Sequence, residues 1–130
     1  MSHRKRIILL ALVLLTSVLV GCAAHRVPTD AKTLAMQVVD KIASGNCDEA
    51  VGSFDAKMKT DVSAGTLSEE WQQITKAYGA YKGETFVRTR KKQKYDIVLI
   101  DCRFAQGSAY IVVAVDPQKQ VAGFNIYAKH

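Results

Sequence analysis

The sequence predicts a small α+β domain in which helices come first and an antiparallel sheet follows. Apolar residues recur at the three-and-four spacing of helices up to Tyr78, and from Tyr81 they alternate with polar residues as in strands. The segments between the predicted strands are short, which favours antiparallel neighbours because parallel strands need long crossovers. The 130 residues have room for one such domain.

The first 21 residues have the layout of a secretory signal peptide. A basic start, residues 1–6, is followed by an apolar run over residues 7–20 that only Thr16 and Ser17 interrupt. This run is shorter than the roughly 20 residues that a membrane-spanning helix needs. We therefore expect residues 1–21 to be removed and to contribute nothing to the fold.

The run ends in Leu19-Val20-Gly21-Cys22, which resembles the lipobox of bacterial lipoproteins. The resemblance implies lipid transfer to the Cys22 sulfur, cleavage just before it, and acylation of the new amino terminus with a fatty acid such as palmitate. Membrane lipid is then the first predicted partner. Because Ala23 rather than Asp follows the cysteine, similarity to sorted lipoproteins favours the periplasmic face of the outer membrane. Two alternatives are an uncleaved anchor helix and an ordinary signal peptide cut near Ala23-Ala24.

The predicted organisation of the chain is a signal peptide over 1–21, a lipidated tether over 22–29 and a domain over 30–130. The tether reaches at most about 25 Å, so the domain must work close to the membrane. Loss of Arg4, Lys5 and Arg6 with the signal peptide lowers the formal net charge from +6 to +3. A charge of this size needs no polyanionic partner, and nucleic acid is not a predicted ligand.

The helices are predicted from capping residues and apolar spacing. Pro28-Thr29-Asp30 begins the first helix, and Gly45 ends it. Asn46 and Glu49 form a predicted capping box for a second helix, with a short extension through Met58 and Val62. The predicted buried face of these segments consists of Leu34, Ala35, Val38, Val39, Ile42, Ala50, Val51 and Phe54.

A further helix is predicted after a break at Ala64-Gly65. Thr66 and Glu69 form its capping box, and Gly79 ends it. Four strands then follow, over residues 82–91, 94–105, 109–116 and 120–128. By alternation, Ile97, Leu99, Ile111 and Val113 lie opposite Val98, Ile100, Val112 and Ala114, so both faces of the middle strands are apolar. Helices cover only one face, and the other is predicted to meet a partner such as an envelope protein, a second copy, or solvent at some cost in stability.

Several core and turn residues resemble the family catalogued as domain of unknown function 3887. They are residues 54–59, Leu67, Trp71, Gly79, Val115-Asp116 and residues 121–124. The similarity spans about Lys32 to Tyr127. The family looks like a branch of the nuclear transport factor 2-like (cystatin-like) superfamily, which implies a cone of helices packed into a bent sheet. It implies core positions at Phe54, Leu67, Trp71 and Phe124 and turn or close-approach positions at Gly79, Gly107 and Gly123. The family has no accepted catalytic residues to carry over.

Catalytic and cofactor chemistry finds little support in the composition. Histidine occurs only at positions 3, 25 and 130, and no phosphate-binding glycine motif is present, so neither a metal nor another cofactor is predicted. The best candidates for acid/base work are Asp96 and Asp101 on the second strand. Asp101 shares a face with Arg103, and an ion pair or a solvated edge explains it more simply. The protein is therefore not expected to be an enzyme.

Two cysteines remain after lipidation of Cys22, and they are expected to form a disulfide. Cys102 alternates onto the apolar face of the second strand, and Cys47 lies in the first turn of a helix predicted to cover that face. An exported compartment permits such a bridge. The alternative is two separate buried thiols.

Two further groups of residues have alternative interpretations. Positive charge is concentrated at the first hairpin by Arg88, Arg90, Lys91, Lys92 and Lys94. This suits contact with anionic lipid headgroups or another polyanion near the tether, or else a solvated turn protected against edge pairing. Five aromatic residues are candidates for a ligand pocket, although such a set is more often core: Trp71, Tyr78, Phe86, Phe104 and Tyr110.

The sequence therefore predicts a membrane-tethered, non-catalytic binding or interaction module of the cell envelope. A small-ligand carrier using the cone interior is the first alternative, and a weak hydrolase or isomerase is the second. A filled cone with an exposed apolar sheet face would favour the binding module, whereas a deep apolar cavity would favour the carrier.

Overall fold

The computed structural model describes residues 30–129. Four helices, α1 (Ala31–Ala43), α2 (Cys47–Val51), α3 (Ala56–Asp61) and α4 (Ala64–Tyr78), precede four strands, β1 (Tyr81–Lys92), β2 (Tyr95–Phe104), β3 (Gly107–Val115) and β4 (Val121–Ala128). The predicted signal peptide (1–21), Cys22 and the tether (22–29) lie outside the described residues. None of the helices described is long and apolar enough to cross a membrane.

Side-chain caps fix where three of the helices begin. The carboxylate of Asp30 accepts a hydrogen bond from the Thr33 backbone N–H at the start of α1, and Asp55 does the same for Met58 at α3. At α4 the cap is Ser63, whose hydroxyl accepts from the Thr66 backbone N–H, so the helix begins two residues before the predicted cap at Thr66. The predicted break at Ala64-Gly65 was therefore wrong. The Ser63 cap stabilises the first turn of the helix by more than the single glycine destabilises it.

Asn46 precedes α2 as predicted but makes no side-chain capping bond. Its backbone has φ −98° and ψ 53°, outside the extended conformation that a capping side chain normally requires. The predicted Asn46–Glu49 capping box is thus not formed. The neighbouring Gly45 has φ 84° and ends α1 as expected.

The strands form one antiparallel sheet in the order β1-β2-β3-β4. Two-residue turns join β1 to β2 and β2 to β3, and Gln93 adopts a positive φ of 55° in the first of them. The segment around Phe54 also pairs with the first residue of β4, Val121. The predicted α+β class, with helices followed by a four-stranded antiparallel sheet, is confirmed.

The helices pack on one face of the sheet. That face carries Val98, Ile100 and Cys102 of β2, and all three are fully buried. The register places Ile111 beside Ile100 and Val113 beside Val98, and both are also fully buried. The core joins these strands to Phe54, which lies between α2 and α3, and to the apolar faces of the helices. The helices contribute Leu34, Val38, Val39, Ile42, Leu67 and Trp71.

The opposite face of the sheet, called the open face below, differs from the sequence prediction in one respect. Leu99 pairs with Val112 and Ile97 with Ala114, so these four residues share the open face. The sequence prediction grouped Ile97 and Leu99 with Ile111 and Val113. That grouping was wrong, because alternation along each strand does not determine how neighbouring strands are shifted relative to each other.

Candidate functional site

The open face has an apolar centre formed by the two middle strands. Ile97, Leu99, Val112 and Ala114 lie there side by side and are only half-buried. None of them belongs to the hydrophobic core or packs against it. Within residues 30–129, the helices therefore leave this strip uncovered.

A row of basic residues borders the strip along β1. Arg88, Arg90 and Lys92 pair with Leu99, Ile97 and Tyr95 respectively, so their side chains project on the open face. All three are exposed, and none forms an ion pair with another described residue. The open face thus combines uncovered apolar area with unneutralised positive charge along one edge.

A β-bulge at Val87 turns the side chains of the basic row toward the open face. The register shifts between Phe86 and Arg88, so Phe86 faces the helices while Arg88 faces the open side. Without the bulge, residues two apart on a strand would share a face, and Arg88 would follow Phe86 toward the helices. Val87 itself is 43% exposed. The sequence identified the basic cluster, but it contained no signal for this change of face.

The far end of the open face holds a compact charged cluster. The Lys129 ammonium lies 3.2 Å from the Asp101 carboxylate and 4.7 Å from the ring centre of Tyr110. Hydrogen bonds to Tyr110 and Asp101 raise the pKa of Lys129. Asp101 therefore pairs with Lys129, and the predicted pairing with Arg103 is not present because the C-terminal lysine reaches the carboxylate instead.

The second candidate carboxylate, Asp96, lies on the other side of the sheet. It accepts a hydrogen bond from Lys91 at 3.0 Å, and its other oxygen lies 3.9 Å from the Lys119 ammonium. Asp96 and Asp101 are five residues apart on a strand whose pairing with β3 is regular, so they project on opposite faces. They do not form an acid/base pair around one substrate.

The aromatic residues predicted as a ligand pocket are not brought together as a set. Trp71 and Phe104 pack with ring centres 5.5 Å apart, and Tyr78 lies 6.2 Å from Phe104. Tyr81, which the sequence pattern did not single out, completes the cluster at 5.2 Å from Trp71. These rings fill core space between α4 and the sheet.

The other two predicted pocket residues lie elsewhere. Phe86 is covered by the Lys32 ammonium, 4.5 Å from its ring centre. Tyr110 lies on the open face, across the sheet from the core rings. A single pocket lined by all five aromatic residues is therefore not formed.

Cys47 and Cys102 are both free and buried, so the predicted disulfide is absent from the structure. The two thiols have different neighbours. Cys47 lies near the Ser68 hydroxyl of α4, whereas Cys102 lies opposite Glu84 of β1. Burial raises the pKa of the Cys102 thiol to about 12 and also raises that of Cys47. Burial therefore favours the neutral thiol over the thiolate at both positions.

A shallow groove runs between α4 and the edge strand β4. Its volume is about 320 Å³, and its walls are Glu70, Gln73, Ile74, Phe124, Asn125 and Ile126. The groove opens at the side of the domain, away from the basic row on β1. It is one of several shallow depressions on the surface of residues 30–129.

Residues 35–124 match the model of a protein family described as "Protein of unknown function (DUF3887)". The match extends from α1 to the middle of β4 and confirms the resemblance drawn from the core and turn residues. No curated protein and no solved structure matches the chain.

Proposed function

The chain belongs to the DUF3887 family, and we propose that it is a lipid-anchored protein of the bacterial cell envelope whose domain is a non-catalytic binding module. The observation that carries the binding role is the open face. An apolar strip of Ile97, Leu99, Val112 and Ala114 lies uncovered among the described residues, beside a row of basic side chains. Exposed apolar area of this kind is characteristic of interaction sites.

The anchor is supported by the start of the sequence. A signal peptide over 1–21 and acylation of Cys22 would leave a tether over 22–29 and a domain from residue 30 onward. More than one acyl chain is needed for stable attachment, and the lipobox resemblance supplies the chemistry for it. The proposed location is the periplasmic face of the outer membrane.

The finer fold assignment is the nuclear transport factor 2-like cone. Helices on one face of a four-stranded antiparallel sheet are compatible with it. The bulges at Val87 and between Ala114 and Val115 supply the local twist that bends a sheet around helices. In this proposal the inside of the cone is filled by side chains, and binding occurs on the outer face.

The non-catalytic role is supported by the carboxylates. Asp96 and Asp101 are each engaged by lysine and project on opposite faces of β2. The buried thiols are held neutral, which disfavours nucleophilic chemistry. A hydrolase or isomerase would need a nucleophile or a poised acid/base pair in one cavity.

A small-ligand carrier is the second candidate function, and the groove between α4 and β4 favours it. Ile74, Phe124 and Ile126 provide apolar contacts, and Glu70 and Gln73 provide polar ones. Its volume of about 320 Å³ lies at the small end of known ligand sites, which span roughly 300–1,000 Å³. The carrier would hold its ligand at this groove, because aromatic side chains occupy the neighbouring core.

The anchor and the binding face are tested separately. Intact-mass analysis of the protein from bacterial membranes should show cleavage before Cys22 and added acyl chains, and Cys22→Ala should release the protein from the membrane. An uncleaved, unacylated amino terminus would reject the anchor.

The binding face is tested by photo-crosslinking in whole cells. A photoreactive amino acid in place of Val112 on the open face should form adducts, and the same amino acid in place of Gln72 on the exposed side of α4 should not. Equal labelling at the two positions would reject the open face as the binding surface. Ligand adducts at Ile74 alone would favour the carrier instead.

A further inference from the structure

Charge is distributed unevenly between the two halves of the described domain. Residues 30–79, which form the helices, contain eight acidic and five basic residues, a net charge of −3. Residues 80–129, which form the sheet, contain four acidic and nine basic residues, a net charge of +5. The sheet side of the domain is therefore basic, and the helical side is acidic.

The positive charge is further concentrated on the open face. Asp101 is the one acidic residue of the described strands that projects on the open face. It is paired with Lys129. Arg88, Arg90 and Lys92 line the opposite edge without acidic partners among residues 30–129. Lys91, by contrast, faces the helices and is paired with Asp96. An anionic surface would meet the apolar strip and the three unpaired cations of this row at once.

The start of the domain lies at the same edge strand, β1, on its helical face. Asp30, Ala31 and Lys32 line one shallow depression together with Thr89 of β1. Thr89 stands between Arg88 and Arg90 in the sequence, and the two arginines project through to the other face. A chain that leaves Asp30 toward an acylated Cys22 therefore leaves at the β1 edge, on the face opposite to the side chains of the basic row. The tether spans at most about 25 Å.

We propose that the open face docks, through Arg88, Arg90 and Lys92, on the anionic headgroups of the bilayer that holds the anchor. This proposal rests on the lipid anchor of the proposed function. Basic side chains near an anionic membrane gain electrostatic attraction, and neighbouring apolar and tyrosine side chains enter the headgroup region. A second copy packed open face to open face fits less well, because it would bring the same positive charge against this face.

The test uses the full chain, acylated in a bacterial host and reconstituted into vesicles. One set contains phosphatidylcholine alone, and the other contains phosphatidylcholine and phosphatidylglycerol. Pulse acetylation followed by mass spectrometry reports the accessibility of Lys92 on the open face and of Lys76 on α4. We expect Lys92 to react at least about fivefold more slowly on the anionic vesicles, with Lys76 unchanged and the protection lost at high salt.

A matched pair of variants checks the role of the row. Arg88→Gln with Arg90→Gln should abolish the protection of Lys92, whereas Lys57→Gln with Lys59→Gln, which removes the same charge from α3, should leave it intact. Lys92 reacting equally on both kinds of vesicle would overturn the proposal. Protection that is equal on neutral vesicles and accompanied by crosslinked dimers would also overturn it, in favour of a second copy.

The lipid anchor and the docking of the open face are refuted by different results. A mass without acyl chains at Cys22 refutes the anchor and this inference with it. An acylated protein with an unprotected Lys92 refutes the docking alone.

Discussion

Gly107, the first residue of β3, lies directly against the ring of Tyr78 at the end of α4. A methyl group in place of its hydrogen would come within 2.5 Å of the Tyr78 Cδ1 atom. The Gln106 backbone N–H also donates to the Tyr78 carbonyl at 2.7 Å, so the helix end and the second hairpin are held together at this point. The close approach predicted at Gly107 has a defined partner in Tyr78.

The first prediction concerns this contact. Gly107→Ala should lower the free energy of unfolding by about 1–3 kcal/mol, because the added methyl forces the Tyr78 ring or the hairpin to move. Urea denaturation followed by circular dichroism measures the change. Gly65→Ala is the control, because its Cβ would meet only the Ser63 hydroxyl oxygen, at 3.7 Å, and it should leave stability equal or slightly higher. Equal losses in the two variants would contradict the close packing of Gly107 on Tyr78.

The second prediction distinguishes the two faces of β2 by neighbouring residues. Ile100 is fully buried under the helices, whereas Leu99 is half-buried on the open face. Ile100→Ala should lower the free energy of unfolding by about 2–5 kcal/mol, as expected for a filled core position. Leu99→Ala should lower it by at most about 1.5 kcal/mol, because much of its side chain already meets solvent. A loss for Leu99→Ala as large as that for Ile100→Ala would mean that the open face is covered in the isolated protein.

Ile100 and Ile111 show which features of the sheet were predictable from the sequence. Alternation within β2 and within β3 was visible, and so were the turns that join them. The register that places Ile100 beside Ile111 depends on the length of the turn between the strands. A difference of one residue in that turn exchanges the faces of the whole strand, which is why the third strand was assigned to the wrong face.

The orientation of the basic row is a second feature that the sequence did not predict. The sequence located Arg88 and Arg90 at the first hairpin, but it did not predict the bulge at Val87 that turns them to the open face. Bulges insert one residue without a fixed composition, so local patterning rarely announces them. The sequence therefore predicted which basic residues the surface contains, but it did not predict that they project on the same face as the apolar strip.

The third prediction concerns the two thiols. In the native protein, Cys47 and Cys102 should be unreactive toward a thiol reagent, because both are buried and both have raised pKa values. After denaturation without reductant, two reactive thiols should appear on the domain. Mass spectrometry of the alkylated protein counts them. Recovery of neither thiol until a reductant is added would mean that the disulfide predicted from the sequence forms in the exported protein.

The fourth prediction concerns Glu84, which lies half-buried opposite Cys102. Burial and the charge of Asp40 raise its pKa above the ordinary value of 4.5. Below that pH the carboxyl is protonated in both the folded and the unfolded chain and has no differential effect. As pH rises, the unfolded chain releases the proton first, so Glu84 destabilises the fold progressively until the pH passes its raised pKa.

Glu84→Gln should therefore stabilise the domain at neutral pH and should remove the part of the stability loss that begins near pH 4.5. Urea denaturation of both proteins at a series of pH values between about 4 and 8 measures the difference. Glu69→Gln, on the exposed side of α4, removes the same charge without relieving burial and serves as the control. If Glu84→Gln and the control have the same pH profile, the Glu84 carboxylate is solvated and water reaches the edge between β1 and α1. A stabilisation confined to Glu84→Gln would show that this carboxylate lowers the stability of the domain at neutral pH.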